Sequence, residues 1–311
     1  MSAYPPPLFI LAPPRSYTSV VCGVIGQHPE LFGMPELNLF QAPTVDEFWT
    51  GRRADGKLRS PFWRIMRHDG VLRAIAELYA GEQTIDSVEM AKRWLIVRAR
   101  KSTAEAHREI CAKAGPQILL DKSPGYVRRA EYLRRILVAF PEARFIHLVR
   151  HPRGQCESVL KAENGRITAF FMGAIDRSGA EPVIDPQTVW RDAHFEILRF
   201  LSELPRGRWM RIIGEDFMND ISGGAREVCH WLGVSDAPAA IEEMLHPERS
   251  PFACIGPANA RLGNDPNFLN SPALRPARVE RAPLEGPLPW RPDQKGFSPE
   301  VLKLARYFGY S

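Results

Sequence analysis

The length, composition and charge of the chain exclude several classes of protein. Its 311 residues, of which 44% are hydrophobic and 25% are charged, are typical of a soluble globular protein with one large α/β domain or two small ones. The formal net charge of +5 fits an anionic ligand, but it is too small to indicate nucleic-acid binding. The sequence contains no run of about 18 apolar residues, so no membrane span is predicted.

The cysteines and the N-terminus predict a cytoplasmic location. The five cysteines are widely scattered: Cys22, Cys111, Cys156, Cys229 and Cys254. Their odd number and the lack of a CxxC pair indicate a reducing compartment, with neither a disulfide framework nor a zinc site. The chain does not begin with a basic region followed by a long apolar core, so no signal peptide is predicted.

A strand, a tight turn and the start of a helix are predicted over residues 8–19. Leu8–Leu11 is an apolar run long enough for a strand of a parallel sheet, and Pro13 and Pro14 end it. Three small hydroxyl residues then provide helix-start chemistry: Ser16, Thr18 and Ser19.

This turn is a candidate phosphate site. A helix N-terminus presents free backbone N–H groups and the positive end of the helix dipole, and Arg15 adds a planar set of donors. The Walker sequence GxxxxGK[ST] is absent. An ordinary strand–turn–helix with a capping serine is also compatible with the pattern.

Two further predicted strands end in charged residues. Residues 31–34 form the second strand, with Glu36 just after it, and residues 117–120 form the third, with Lys122 just after it. Ligands gather at the carboxyl ends of the strands of a parallel sheet, so both side chains are site candidates. Lys122 could offer a positive charge to a transferring anionic group. A solvated loop carboxylate and a surface lysine in a turn are the ordinary alternatives.

The region between these two strands, residues 44–115, is predicted to be mostly helical. Apolar residues have helical spacing over 62–79 and 88–114, and a polar, arginine-rich loop covers 51–61. We interpret the region as a helical insertion packed over the sheet, which is either scaffold or part of an acceptor pocket.

The fourth predicted strand is the clearest one. Residues 144–149, RFIHLV, are followed by Arg150, and Ser158 lies two turns into the next helix. A guanidinium and a hydroxyl in this arrangement could both face one phosphate. The HxxxH spacing of His147 and His151 crosses a strand and a turn, so it does not predict a metal site.

The rest of the chain completes an alternation of strands and helices. The remaining predicted elements are a helix over 126–140, an irregular segment over 165–187 of the kind that forms a mobile loop, a helix over 189–204, a strand over 208–213, a helix over 223–232, a long loop over 247–296 and a helix over 299–308. The long loop either folds over a ligand or wraps loosely over the surface. The alternation predicts an α/β fold in three layers, with a parallel β-sheet flanked by helices.

Two of these stretches resemble motifs of the sulfotransferases that use 3′-phosphoadenosine-5′-phosphosulfate (PAPS). PPRSYTS is similar to their 5′-phosphosulfate loop, P-[RK]-[ST]-G-[TS]-[TS]. FIHLVRHPRGQCESVL is similar to their 3′-phosphate motif, in which a serine follows a strand-end arginine by eight positions, as Ser158 follows Arg150. The resemblance is strongest to the bacterial branch with sulfotransferase domains of polyketide and olefin synthases, and it extends from Leu8 to about Leu269.

The resemblance implies a P-loop-like sulfotransferase fold in a single domain over residues 1–311. It implies transfer of a sulfuryl group from PAPS, with 3′-phosphoadenosine-5′-phosphate (PAP) as product and without a metal. The implied acceptor is a hydroxyl or amine of a small molecule, either free or held on a carrier protein, in bacterial secondary metabolism. Neither a nucleic acid nor a membrane is an implied partner.

The resemblance also assigns roles to individual residues. Glu36 corresponds to a general base, and Arg15 and Lys122 correspond to the charges that stabilise the transferring group and the leaving phosphate. The residues implied to bind the nucleotide are Arg15, Ser16, Tyr17, Thr18, Ser19, Arg150, Ser158 and, in a late loop, Arg261.

Two positions depart from the family pattern. Tyr17 stands where the family usually has a glycine, and Gly214 stands where it usually has a tyrosine that approaches the adenine. A tyrosine with a positive φ would be strained, so we expect the turn at Tyr17 to be adjusted.

Two other functions are compatible with a phosphate site at a sheet edge. A non-catalytic module that binds 3′-phosphoadenosine nucleotides is one alternative, although the candidate catalytic residues are all retained. A small-molecule kinase is disfavoured, because the Walker lysine and a clear magnesium-binding carboxylate are missing.

Overall fold

Parallel strands form the central sheet of the protein, whose computed structural model describes residues 4–57, 68–162, 164–179, 181–275 and 278–311. The strands of these residues are Leu8–Leu11 (β1), Leu31–Gly33 (β2), Ile118–Asp121 (β3), Arg144–Val149 (β4), Ile175–Asp176 (β5), Val183–Ile184 (β6) and Trp209–Ile213 (β7). The central sheet has the order β2-β3-β1-β4-β7, and its neighbouring strands pair in parallel. Strands β5 and β6 form a separate antiparallel hairpin.

Helices connect the strands. The described helices are Thr18–Gly26 (α1), Val45–Thr50 (α2), Asp69–Ala80 (α3), Ile85–Ile96 (α4), Thr103–Ala114 (α5), Ala130–Ala139 (α6), Pro152–Lys161 (α7), Gly165–Phe171 (α8), Gln187–Ser202 (α9), Gly214–Asn219 (α10), Ile221–Leu232 (α11), Pro238–Met244 (α12), Pro266–Asn270 (α13) and Pro299–Tyr307 (α14). Short 3₁₀ helices cover Leu39–Gln41, Pro124–Arg128 and Pro247–Arg249.

The alternation of side chains along β1 divides the core into two layers. Phe9 and Leu11 lie in a cluster with apolar residues of α5, α6 and α9. Leu8 and Ile10 point to the opposite face, where they lie in a cluster with residues of α1, α11 and α12. Because both faces of the strand are buried, the sequence of β1 is a continuous apolar run. The predicted three-layer α/β fold is therefore confirmed.

The sheet places the carboxyl ends of its strands along one edge. The turn to α1 follows β1, Glu36 follows β2, Lys122 follows β3 and Arg150 follows β4. The parallel register of the strands brings these segments to the same side of the sheet. The fold thus gathers residues that are far apart in the sequence.

Several predicted elements have different bounds in the structure. The predicted helical run over 88–114 is two helices, because Ser102 and Glu105 form a capping box that starts α5. The run over 62–79 is described only from α3 onward, and residues 58–67 lie outside the described residues. The predicted helix over 126–140 begins as a 3₁₀ turn before α6.

The prediction of an irregular segment over 165–187 is wrong. This segment contains α8, the β5–β6 hairpin and the start of α9. The elements are short, and glycine with a positive φ at Gly173 separates α8 from the hairpin. Their residues therefore have the composition of a loop although the backbone is regular.

The long loop over 247–296 is tied to the rest of the protein along its second half. Arg153 of α7 donates hydrogen bonds of 3.0 Å to the carbonyl oxygens of Pro283, Glu285 and Pro287. Arg291 forms a buried ion pair with Asp185. The first half of the loop contains α13, which the composition of the sequence did not predict. Pro266 is the first residue of this helix, but a proline can also mark a loop.

Other predictions from the sequence concern cysteines, membrane spans and domain boundaries. All five cysteines are free, and Cys254 is the exposed one. In the part of the chain that the structure describes, no helix combines the length and apolar character needed to cross a membrane. The single domain over 1–311, with its insertion and wrapping loop, stays a prediction.

We predict that Phe9→Ala lowers the free energy of unfolding by about 3–5 kcal/mol, because it leaves a cavity in a closely packed aromatic cluster. The Phe9 ring is fully buried, and its centroid lies 5.9 Å from that of Phe145 and 6.1 Å from that of Phe40. Chemical denaturation measures the change. Val138→Ala is the control, since Val138 is 78% exposed and should change the value by less than about 0.5 kcal/mol. Equal effects of the two substitutions would contradict the described core.

Candidate functional site

The turn after β1 has an unusual backbone. Arg15 and Tyr17 both adopt the left-handed region, with φ of 68° and 61°. The expectation that the turn adjusts to spare Tyr17 this conformation is wrong. Non-glycine residues in this region cost of order 1–3 kcal/mol each, and they persist only where the surrounding structure holds them. Tyr17 is also the N-cap residue of α1, so the strained turn directly precedes a helix N-terminus.

A cleft of about 200 Å³ opens beside this turn. The predicted site residues that line it are Arg15, Tyr17, Thr18, Ser19, Arg150 and Ser158. The late loop contributes Asp265, Asn267 and Phe268 to the same cleft. The two sequence motifs, which are more than a hundred residues apart in the chain, therefore meet in one depression.

Arg15 joins the two motifs directly. Its Nε donates to the Ser158 hydroxyl of α7 at 3.0 Å. Its Nη1 forms an ion pair with the Asp265 carboxylate of the late loop. Asp265 thus places an anionic group against the guanidinium inside the cleft.

Three neighbours restrict the position of the Arg150 side chain. Its Nη1 donates to the carbonyl oxygen of Arg15 at 2.7 Å, and its guanidinium carbon lies 4.2 Å from the centroid of the Tyr17 ring. A Cβ atom at Gly154 would lie 3.4 Å from Arg150 Nε, so the side chain runs close to the first turn of α7. Among the described residues, Arg150 Nε is buried without a hydrogen-bond partner.

A free donor of the cleft fits an anion. Arg150 Nε lies near the N-terminal turn of α7, where the positive end of the helix dipole favours negative charge. Buried polar atoms normally have partners, so this unpartnered donor of a residue that lines the cleft indicates a ligand that supplies one. The Ser16 hydroxyl is also buried without a partner among the described residues, but it lies outside the cleft.

Lys122 is fully buried and contacts the cleft through Ser19. Its ammonium donates to Ser19 Oγ at 3.1 Å, to Glu36 Oε1 at 2.9 Å and to Asn264 Oδ1 at 2.9 Å. These bonds use all three donors of the ammonium, which compensates for its burial. The Glu36 side chain is 30% exposed, whereas that of Lys122 is 0% exposed. A molecule from solvent can therefore reach Glu36.

The backbone around Glu36 is enclosed by two glycines. The N–H of Glu36 donates to the carbonyl oxygen of Gly263 at 2.7 Å. A Cβ atom at Gly70 would lie 2.1 Å from the Glu36 carbonyl oxygen, so only glycine fits at this position. The first turn of α3 and the late loop therefore fix the place of Glu36.

A buried network behind Lys122 ties β3 to the Glu36 loop. Asp121 accepts hydrogen bonds from Ser123 Oγ at 2.7 Å and from the Tyr126 hydroxyl at 2.8 Å. Ser123 Oγ in turn accepts from the backbone N–H of Asn38 at 2.9 Å. His107 Nε2 lies 3.2 Å from Asp121 Oδ2, the oxygen that also accepts from Tyr126. Sequence reasoning missed Asp121, although it directly precedes Lys122.

Two predicted nucleotide-binding residues do not line the cleft. Ser16 is fully buried beneath the turn. Arg261 is exposed, and its carbonyl oxygen accepts a hydrogen bond from the N–H of Gly256 at 2.9 Å. The late loop instead reaches the site through Asn264 and Asp265, which the sequence places in a loop without any signal of its contact with residues 15 and 122.

Two titratable side chains near Arg150, those of His151 and Tyr17, are neutral at neutral pH. Burial lowers the pKa of His151 to about 4, and the charges of Arg153, Arg281 and Arg150 act in the same direction. Burial also raises the pKa of Tyr17 above its usual value of 10. At neutral pH the imidazole is uncharged and the phenol is protonated, so neither adds charge to the cleft.

The described ranges contain no group of three His, Cys, Asp or Glu side chains arranged to hold a metal ion.

The chain is similar to known sulfotransferases in sequence and in fold. The model of the Sulfotransferase family matches residues 6–238. The sulfotransferase domain from the Synechococcus PCC 7002 olefin synthase is 23% identical with a TM-score of 0.73, and the match covers 99% of this chain and 95% of that chain. The sulfotransferase domain from the curacin biosynthetic pathway is 22% identical with a TM-score of 0.72, and the match covers 99% of this chain and 98% of that chain. No curated protein matches the chain.

The two structures confirm the predicted sulfotransferase fold, and the family match covers most of the chain, including β1 to β4, the turn with Arg15 and the helix with Ser158. The protein therefore belongs to the sulfotransferase family.

Proposed function

We propose that the protein transfers a sulfuryl group from PAPS to a hydroxyl or amine of a small-molecule acceptor. The observation that carries the proposal is the position of Lys122. Its ammonium donates both to Ser19, which lines the anion-binding cleft, and to Glu36, which solvent can reach. One buried cation thus connects a donor cleft to an accessible carboxylate.

The residues of the cleft fit a nucleotide with two phosphate-containing groups. Arg150 and Ser158 would hold the 3′-phosphate, because a guanidinium and a hydroxyl provide charge-assisted hydrogen bonds to phosphate oxygens. The turn over residues 16–19 and the N-terminus of α1 would hold the 5′-phosphosulfate. The free Nε of Arg150, which lines the cleft, supports this assignment.

The chemistry requires positioning and charge stabilisation more than covalent participation by the protein. The bound donor supplies an activated sulfuryl group. Glu36 accepts the proton of the acceptor hydroxyl or amine as that atom becomes a nucleophile, and its exposure allows the proton to pass to solvent. Lys122 stabilises the negative charge that develops between the donor and the acceptor.

Arg15 also takes part in the proposed reaction. In the structure its guanidinium is paired with Asp265 and bonded to Ser158. Binding of an anionic nucleotide would exchange the Asp265 carboxylate for a phosphate oxygen. Arg15 would then add its charge to that of Lys122 at the leaving phosphate.

The acceptor belongs to bacterial secondary metabolism in this proposal, as either a free molecule or one held on a carrier protein. The family resemblance to the polyketide and olefin synthase branch supports it. So does the similarity of fold to domains from an olefin synthase and from the curacin pathway.

We predict that Glu36→Gln lowers kcat by about 10²–10⁴-fold, because the amide cannot accept the acceptor's proton. Turnover with PAPS and an accepted substrate measures this change. The affinity for PAP should stay within about twofold, since Glu36 does not line the nucleotide cleft. Glu142→Gln is the matched control, because Glu142 lies two residues before the start of β4, at the opposite end of that strand from the site.

Full turnover by a folded Glu36→Gln variant would show that the base is assigned wrongly. A wild-type protein that binds PAP but transfers no sulfuryl group to any acceptor would favour the non-catalytic nucleotide-binding module.

We predict that Asp265→Asn raises the affinity for PAP by up to about fivefold, since the Asp265 carboxylate competes with the ligand for Arg15 in a partly exposed ion pair. Asparagine keeps an oxygen that can accept from the N–H of Asn267, so the cap of α13 is retained. Calorimetric titration with PAP measures the change. A lower affinity would show instead that the Asp265 carboxylate contributes to nucleotide binding.

A further inference from the structure

Tyr17 and Gly214 fit together as a pair. A Cβ atom at Gly214 would lie 2.7 Å from Cδ2 of the Tyr17 ring and 3.1 Å from the carbonyl oxygen of Val149. The first of these distances is shorter than carbon atoms can approach without a shift. Gly214 does not have a positive φ, so its backbone conformation is open to alanine. The obstacle to a side chain at this position is the steric clash with Tyr17 and Val149. The absence of a side chain at residue 214 therefore makes room for the Tyr17 ring.

The Tyr17 ring, which occupies the space beside Gly214, also contacts Arg150. The guanidinium carbon lies 4.2 Å from the ring centroid, which is the geometry of a cation–π interaction. The carbonyl oxygen of Arg15 fixes Nη1 of the same guanidinium at 2.7 Å. The ring and the carbonyl together fix the plane of the guanidinium, while its Nε is left without a partner in the part of the chain described.

The left-handed backbone of Tyr17 belongs to this arrangement. With φ of 61° and ψ of 11°, the residue sits in a conformation that is unfavourable for a side chain of its size. Strained residues of this kind occur where the surroundings determine the conformation, and they are common at ligand sites. The strained turn places the Tyr17 ring between Gly214 and Arg150.

We infer that Tyr17 is a positioning residue, which acts through Arg150. Its ring rests on Gly214 and holds the guanidinium so that the free Nε edge faces a phosphate in the cleft. The ring thereby sets the preference of the protein for a nucleotide with a 3′-phosphate. This inference rests on the proposed function, since it presumes that Arg150 binds the 3′-phosphate of the donor.

The test compares two nucleotides that differ in the 3′-phosphate. PAP and adenosine 5′-monophosphate are titrated calorimetrically into the wild type, Tyr17→Phe, Tyr17→Ala, Gly214→Ala and the double variant Tyr17→Ala/Gly214→Ala. The ratio of the two affinities is the readout, because a general loss of structure would lower both affinities together.

We expect the wild type to prefer PAP and Tyr17→Phe to keep that preference, since the ring is retained. Tyr17→Ala should reduce the affinity for PAP by about tenfold more than it reduces the affinity for adenosine 5′-monophosphate. Gly214→Ala should reduce the preference in the presence of Tyr17, because it displaces the ring. In the double variant the Gly214 substitution should add no further loss, since the clash is gone.

Two results would overturn the inference while leaving the proposed function intact. One is a Tyr17→Ala protein with the preference of the wild type. The other is a Gly214→Ala effect of the same size with and without the tyrosine ring. The Tyr17 substitutions add no atoms to the site, so they test the inference even if Gly214→Ala fails to fold. A folded wild type that does not prefer PAP would overturn the proposed function and this inference together.

Discussion

An ammonium group without access to solvent must find its hydrogen-bond partners inside the protein, and the site is arranged around this requirement at Lys122. Its three acceptors come from three separate segments: Ser19 of α1, Glu36 after β2 and Asn264 of the late loop. Removing any one of them would leave a buried donor unsatisfied, at a cost of about 1–3 kcal/mol or more for a charged group. The same cation therefore holds the loops together and brings charge to the point where the two substrates of the proposed reaction would meet.

The parallel sheet explains why these segments lie close together. Each connection returns to the same edge, so the residues after β1, β2, β3 and β4 converge although they are spread over nearly half of the chain. Arg15 and Arg150 meet there through the bond from Arg150 Nη1 to the Arg15 carbonyl oxygen. The cationic charge of the cleft is then partly offset by Asp265 from the late loop. Ligand binding in this account replaces one anionic partner with another.

Much of this arrangement could be predicted from the sequence, because local signals determine it. The apolar run of β4, the arginine at its end and the serine two turns later indicated an anion site, and Arg150 and Ser158 do line one cleft. Local signals could not predict the contact of Asn264 and Asp265 with α1 and β3, since it depends on how a loop without periodicity folds back. They also failed at Tyr17, where the absence of a side chain at Gly214 allows a backbone conformation that a tyrosine rarely adopts. The two departures from the family pattern are thus spatial neighbours.

The most direct test of the account is calorimetric titration of the wild type, Arg150→Ala and Arg144→Ala with PAP. Arg144 lies at the other end of β4 and donates to the carbonyl oxygens of Trp231 and Leu232, so it is a matched control. We predict that the wild type binds PAP, that Arg150→Ala weakens binding by at least about 30-fold and that Arg144→Ala changes it by less than about threefold. A folded wild type that does not bind PAP, or an Arg150→Ala variant that binds it as tightly as the wild type, would contradict the assignment of this cleft to the nucleotide.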